Sequence, residues 1–169
     1  MLIRPSALER IGGIAAIRRE VIDDCALARA IKKSGGRIWM GLTAETHSIR
    51  PYQSFSEIGN MISRSAFNQL RHSTLLLLLT VTGLLLTYVV PLAAVLSGSV
   101  KAVLLGSTGY VIMSSCYVPM IRFYRLRWPW AFTLPVIALF YLGSTVHSAV
   151  RYWSGRGGIW KGRVQDTAG

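Results

Sequence analysis

Acid is what this sequence holds least of. Seven Asp and Glu stand against nineteen Lys and Arg, and only three of the seven are aspartates: Asp23, Asp24 and Asp166. No Asp-x-Asp pair can be drawn from them. Cysteine is nearly absent as well. Cys25 and Cys116 are far apart and isolated, which argues against a disulfide or a thiolate metal site. His47, His72 and His147 show no ligand spacing and read as surface or interfacial residues. The start, "MLIRPSALERIGG", has no apolar stretch of the kind a signal peptide needs. No motif for RNA or DNA is present, and the basic residues of the second half sit at loops and ends rather than along one face. That excludes a nucleic-acid binder.

What is present is apolar. Hydrophobic residues make up 51% of the chain and charged ones 15%, with a net charge of +12. Residues 1–73 carry eleven Lys/Arg and six Asp/Glu, whereas residues 74–169 carry eight Lys/Arg and one acid. An apolar body with basic ends is the pattern of a membrane protein.

Residues 1–53 alternate helix and strand signals. "LIR" after Met1 reads as a strand. "SALE", 6–9, fits a capping box with Ser6 as N-cap and Glu9 three residues on, and Gly12-Gly13 stops that helix. Asp23 or Asp24 opens a second helix, about 24–34, with Leu27, Ala28, Ala30 and Ile31 on its apolar positions. Lys32 and Lys33 fill its last turn and Gly35-Gly36 ends it. "RIWMGLT", 37–43, reads as a buried strand, and "RPY", 50–52, as a turn.

Residues 54–72 form an amphipathic helix, with Ile58, Met61, Ile62, Phe67 and Leu70 at helical spacing. Leading straight into an apolar segment, it is expected to lie in the membrane interface. Within 73–150, three segments are long enough to cross a bilayer core: 73–96, 103–121 and 129–150. Short connections suggest antiparallel neighbours. Trp128, Trp130, Tyr152 and Trp153 flank the third like an aromatic belt. Residues 151–169 are a basic tail. Five basic residues near the membrane on each side leave the orientation undecided.

Two readings of Asp23-Asp24 compete on chemistry alone. Aspartate is a preferred helix cap, and a carboxylate at a rigid helix start is also a general base in waiting.

The stretch "LIRPSALERIGGIAAIRREVIDDCALARAIKKSGGRIWMGLT" resembles the second half of the catalytic domain of an inverting family 2 glycosyltransferase. The spans and "GRGGIWKGRV", 155–164, resemble the hopene-associated branch of bacterial membrane glycosyltransferases. The resemblance implies a fold: a partial α/β GT-A-like layer followed by an α-helical membrane region of about three spans. It implies Asp24 as the base that takes the proton of a lipid hydroxyl, with Asp23 orienting its neighbour or contacting the acceptor. It further implies a diphosphate-binding Gln/Arg-x-x-Arg-Trp motif. "MISRS" offers Arg64 for that arginine, and "NQLRH" offers Arg71 with Gln69 beside it; Arg64 has the more family-like spacing. Lys161 and Arg163 of "WKGR" belong to a tail signature without a derived mechanism.

The same resemblance implies a nucleotide-sugar donor, a hopanoid or similar isoprenoid acceptor, and a divalent metal, Mg or Mn, held by an Asp-x-Asp. It implies a bacterial inner membrane with the catalytic part cytoplasmic. Without an Asp-x-Asp the chain reads as a C-terminal half, inactive alone: a truncated product, a mis-called start, or one part of a split gene whose separate N-terminal half supplies the donor site. The alternative is a non-catalytic membrane adaptor that docks a partner. A transporter is disfavoured because the span interiors hold no Asp, Glu, Lys or Arg.

Overall fold

A computed structural model describes residues 1–18, 20, 22–49 and 51–156, with the backbone of 159–160 and 163–164. Arg50 of the expected turn and Lys161 of "WKGR" lie outside the described residues. The chain forms two compact units that meet in sequence between Glu45 and Thr46.

In the first unit, Pro5 starts α1 (Pro5–Arg10) because its fixed φ and missing N–H suit a first helical position. Arg4 is the N-cap and makes no side-chain bond, so the expected Ser6–Glu9 capping box does not form. A 3-10 turn, Ile14–Ile17, follows, then α2 (Asp23–Lys33). Both helices stop on glycine. Gly12 (φ 84°) and Gly35 (φ 78°) take the left-handed conformation. Behind Gly35, the Gly36 N–H reaches Ile31 O at 2.9 Å, the closing bond of a Schellman motif. Ile17, Ala26, Leu27 and Ile31 form the core, with Ile3, Leu8 and Ile11 packed on it.

The expected α/β layer is not there. Residues 2–4 and 37–43, both expected as strands, have no regular structure, and residues 1–45 contain no strand among those described. The expectation followed the apolar, β-prone run "RIWMGLT". A strand, though, needs a neighbour for its N–H and C=O groups, and none is at hand. Trp39 and Met40 are accordingly 88% and 96% exposed rather than buried. Among the described residues the paired strands are β1 (Ile159–Trp160) and β2 (Arg163–Val164), two residues each.

The second unit is helical. Ser54 caps α3 (Phe55–Gln69): its Oγ accepts from the Glu57 N–H at 3.3 Å, and the Glu57 carboxylate accepts from the Gln53 N–H at 3.0 Å. Ser73 caps α4 (Thr74–Leu84) in the same way. A π-helical turn, Leu85–Val89, joins α4 to α5 (Val90–Val95), just ahead of Pro91. Then come α6 (Val100–Phe123), a 3-10 turn (Trp128–Phe132) and α7 (Leu134–Trp153).

Three helical stretches, Thr74–Val95, Val100–Phe123 and Leu134–Trp153, are long and apolar enough to cross a membrane. They fall on the three segments expected from the sequence. α5 and α6 meet closely at Gly106, where a Cβ would lie 2.6 Å from Pro91 O and 2.8 Å from the Ala94 Cβ; only glycine fits there. α7 packs on both α3 and α4, and α3 runs parallel to it. Phe55 meets Phe140, Ser63 meets Ser144, and the Phe67 ring meets Tyr152 and Trp153. The helix expected along the membrane surface therefore has a candidate span for its neighbour.

Candidate functional site

Asp23 and Asp24 are the first two residues of α2, and both are exposed. Ile22 is the N-cap and bonds nothing with its side chain. The carboxylates do the capping from inside the first turn. Asp23 Oδ1 accepts from the Asp24 N–H at 3.0 Å, and Asp24 Oδ1 accepts from the Cys25 N–H at 2.7 Å. Each bond satisfies an N–H that the helix start leaves open. Each carboxylate keeps Oδ2 without a hydrogen-bond partner among the described residues. Capping and proton acceptance are thus compatible at Asp24: one oxygen fixes the side chain, and the residue is exposed. Ala26, Leu27 and Ile31 anchor the helix behind the pair, so its position is set by the unit's own core.

A metal is the second requirement of the expected chemistry. Among the described residues, no three His, Cys, Asp or Glu side chains come together as ligands. The divalent ion implied by the resemblance has no ligand set there, and Asp23-Asp24 alone do not supply one.

Arg64, Gln69 and Arg71 lie in the second unit, away in sequence from the acid pair. Arg64 is half-buried within α3, and Gln69 is its exposed last residue. Arg71 sits in the stop of α3 and differs from Arg64 in kind. It is exposed and left-handed, φ 52°, and His72 follows at φ 53°. The bonds are those of a Schellman motif: Arg71 N–H to Asn68 O at 2.9 Å and His72 N–H to Phe67 O at 3.0 Å. The position normally belongs to glycine, and an L side chain there costs about 1–2 kcal/mol. The corner is held from outside. The His72 ring stacks on Tyr152 with centroids 4.2 Å apart, and Phe67, 1% exposed, lies edge-on to His72, Tyr152 and Trp153. Arg125 ends α6 in the same left-handed conformation, φ 53°.

The sequence reading missed the polar seam between α3 and α7. Ser63 Oγ donates to Ser144 O at 3.0 Å and also contacts His147 Nδ1 at 3.2 Å. Ser148 Oγ accepts from the Phe67 N–H at 3.1 Å. The signal was the run of small residues Gly143, Ser144, Ser148 and Ala149 on a helix otherwise apolar, the composition that lets two helices approach.

A family model described as glycosyl transferase family 21 matches residues 1–164. The match supports glycosyl transfer and does not single out family 2 or its hopene-associated branch. No curated protein and no solved structure matches the chain.

Proposed function

The chain belongs to glycosyl transferase family 21, and we propose that it carries the acceptor side of an inverting transfer from a nucleotide-sugar to a lipid hydroxyl, with Asp24 as general base. One observation carries this reading: Asp24 is pinned through Oδ1 to the Cys25 N–H, and the residue is exposed at the start of a helix anchored by its own core.

The chemistry asks for little more from this side. As the lipid oxygen bonds to the anomeric carbon, its proton passes to Asp24 Oδ2, and the bond to the nucleoside diphosphate breaks on the opposite face. Asp23 holds the turn through the Asp24 N–H. Arg71, exposed at a helix stop, is our choice over Arg64 for the departing diphosphate, since a guanidinium offers it two parallel hydrogen bonds. Gln69, exposed two residues earlier at the end of α3, is a second donor to it. With no Asp-x-Asp in the sequence, the nucleotide and a divalent metal are assigned to a separate donor half. Three candidate spans support a membrane setting, and the nucleotide-sugar requirement supports a bacterial inner membrane with the first unit facing the cytoplasm. A polycyclic isoprenoid acceptor is the finer form of this reading.

The test is transfer of labelled sugar to lipid in membranes holding the chain together with a donor half, with a hopanoid and a straight-chain lipid alcohol compared as acceptors. Asp24→Asn keeps the shape and the Cys25 bond, and transfer should fall by roughly 10²–10⁴-fold. Asp23→Asn should lose less. Near-normal transfer by both variants would leave the pair a helix cap and favour the adaptor reading.

A further inference from the structure

Three helical stretches have the length and hydropathy of spans, but their packing within the second unit does not fit three crossings. Leu77, near the start of α4, and Ala149, near the end of α7, share one core cluster, with Val81 and Tyr152 packed on it. Farther along the chain, the π-helical turn Leu85–Val89 also packs on α7. Leu85 lies about 12 Å past Leu77. Were α4 and α7 parallel, that turn would sit beyond Trp153, where α7 ends. The two helices are therefore antiparallel. The start of α4 and the end of α7 lie at one end of the unit.

The other end holds the end of α5 and the start of α7. Pro91 is about 21 Å beyond Leu77, and Leu134 is about 22 Å before Ala149, so the two stand at one level. There α6 meets both neighbours within about one turn. Gly106 lies against Pro91 and Ala94, and the Tyr110 O–H donates to Phe132 O at 2.7 Å. The neighbours of α6 are chiefly α5 and the 3-10 turn Trp128–Phe132, whereas those of α7 are chiefly α3 and α4.

A chain that leaves α5 and enters α7 at the same end crosses an even number of times between Thr74 and Trp153. Helix α6 could cross only if residues 124–133 crossed back. They are too short. The 3-10 turn supplies about 10 Å and the other five residues at most about 18 Å, against a hydrocarbon core of about 30 Å. They also carry Arg125 and Arg127, both exposed. Neither a charge nor backbone outside a regular helix is favourable in lipid.

We infer that the chain crosses the bilayer twice, through α4–α5 and through α7, and that α6 and its return lie on one membrane face. Arg122, Arg125 and Arg127, all exposed, stay at the lipid headgroups of that face. The chain leaves α7 at Ser154 on the opposite face, where α4 begins. Arg71, chosen above for the departing diphosphate, stands just ahead of that start, so the basic tail begins on the face that carries it. The inference does not rest on the glycosyl-transfer reading.

Single cysteines separate the two arrangements. Cys25→Ser and Cys116→Ser first remove the two exposed thiols. Ser99→Cys, Leu126→Cys and Ser154→Cys then each place one thiol at an exposed site. Ser99 makes no side-chain capping bond, so its loss is mild. Intact spheroplasts and inverted membrane vesicles holding the full-length chain are treated with a membrane-impermeant maleimide, which reaches one face in each preparation. Cysteines at 99 and 126 should react in one preparation, and the cysteine at 154 only in the other. Three crossings require the reverse: 99 and 154 together, 126 apart. That result would overturn the inference. So would a site closed in both preparations, which would lie in the hydrocarbon, or a site open in both, which would mean no fixed path. Unchanged circular dichroism shows that each variant is folded. Ser97→Cys, Tyr124→Cys and Arg156→Cys, also at exposed positions, give a second set with the same expected pattern.

Discussion

The two units stop helices with the same hydrogen bonds, but only the second also places arginine at the stop. In the first, Gly12 and Gly35 take the left-handed position. In the second, Gly98 and Gly155 take it as well, but so do Arg71 and Arg125, at φ 52° and 53°. Glycine does so freely, whereas arginine is strained and must be compensated. The compensation is visible at Arg71, where Phe67, His72 and Tyr152 lock the corner, and a cation also suits the negative end of a helix. The exposed apolar residues divide the same way. Leu75, Leu78 and Leu79 of α4 are open on a helix whose backbone bonds are closed, as a lipid-facing surface requires. Trp39 and Met40 are open on a segment with no regular backbone pairing. Exposure of hydrophobic side chains thus falls on a helix long and apolar enough to cross a membrane in one unit and on an unpaired segment in the other.

The largest effect expected on this contrast is in the second unit's core. Phe67→Ala should cost about 3–5 kcal/mol, because the ring is fully enclosed and meets His72, Tyr152 and Trp153 edge-on. Limited proteolysis should then open 55–73 and spare α2. Leu27→Ala in the first unit should cost about 2–3 kcal/mol and open residues 1–45 alone. Simultaneous opening of both units by either variant would erase the distinction between them. Ser148→Ala leaves the Phe67 N–H without its partner and should cost about 1–3 kcal/mol, read as a lower midpoint of unfolding in detergent. The smallest effects compare the stops directly. Gly35→Arg should destabilise α2 by about 1–2 kcal/mol, while Arg71→Gly should stabilise the α3 corner by about 1 kcal/mol and weaken diphosphate binding. A destabilising Arg71→Gly would mean that the arginine makes contacts worth more than its strain.

The contrast also explains what the sequence could tell. α2 was legible because Leu27 and Ile31 repeat at helical spacing and Gly35 punctuates the end. The spans were legible from length and hydropathy. The strand over 37–43 was misread because β-prone side chains describe a preference, and pairing depends on a neighbour that the local sequence does not contain. The acid pair could be picked out for its place at a helix start, but the division of labour between Oδ1 and Oδ2 is a matter of geometry. The α3 corner was hidden because no glycine marks it. His147 read as an isolated histidine; its contact is with Ser63, some eighty positions away in the chain.

The π-helical turn at Leu85–Val89 acts as a phase shifter. Each residue added to a helix rotates everything beyond it by about 100°. The turn therefore sets the angle between the face of α4 that offers Leu77 and Val81 to the second unit's core and the face of α5 that offers Pro91 and Ala94 to Gly106. Removing one residue from that turn would leave an ordinary α-helix of almost the same length and hydropathy, still able to cross a bilayer. It would swing α5 away from the glycine notch cut for it. Segment length, which is what a hydropathy scan sees, would barely change, and helix pairing would be lost. For this span, the number of residues between two contacts is as much a part of its design as the residues that make them.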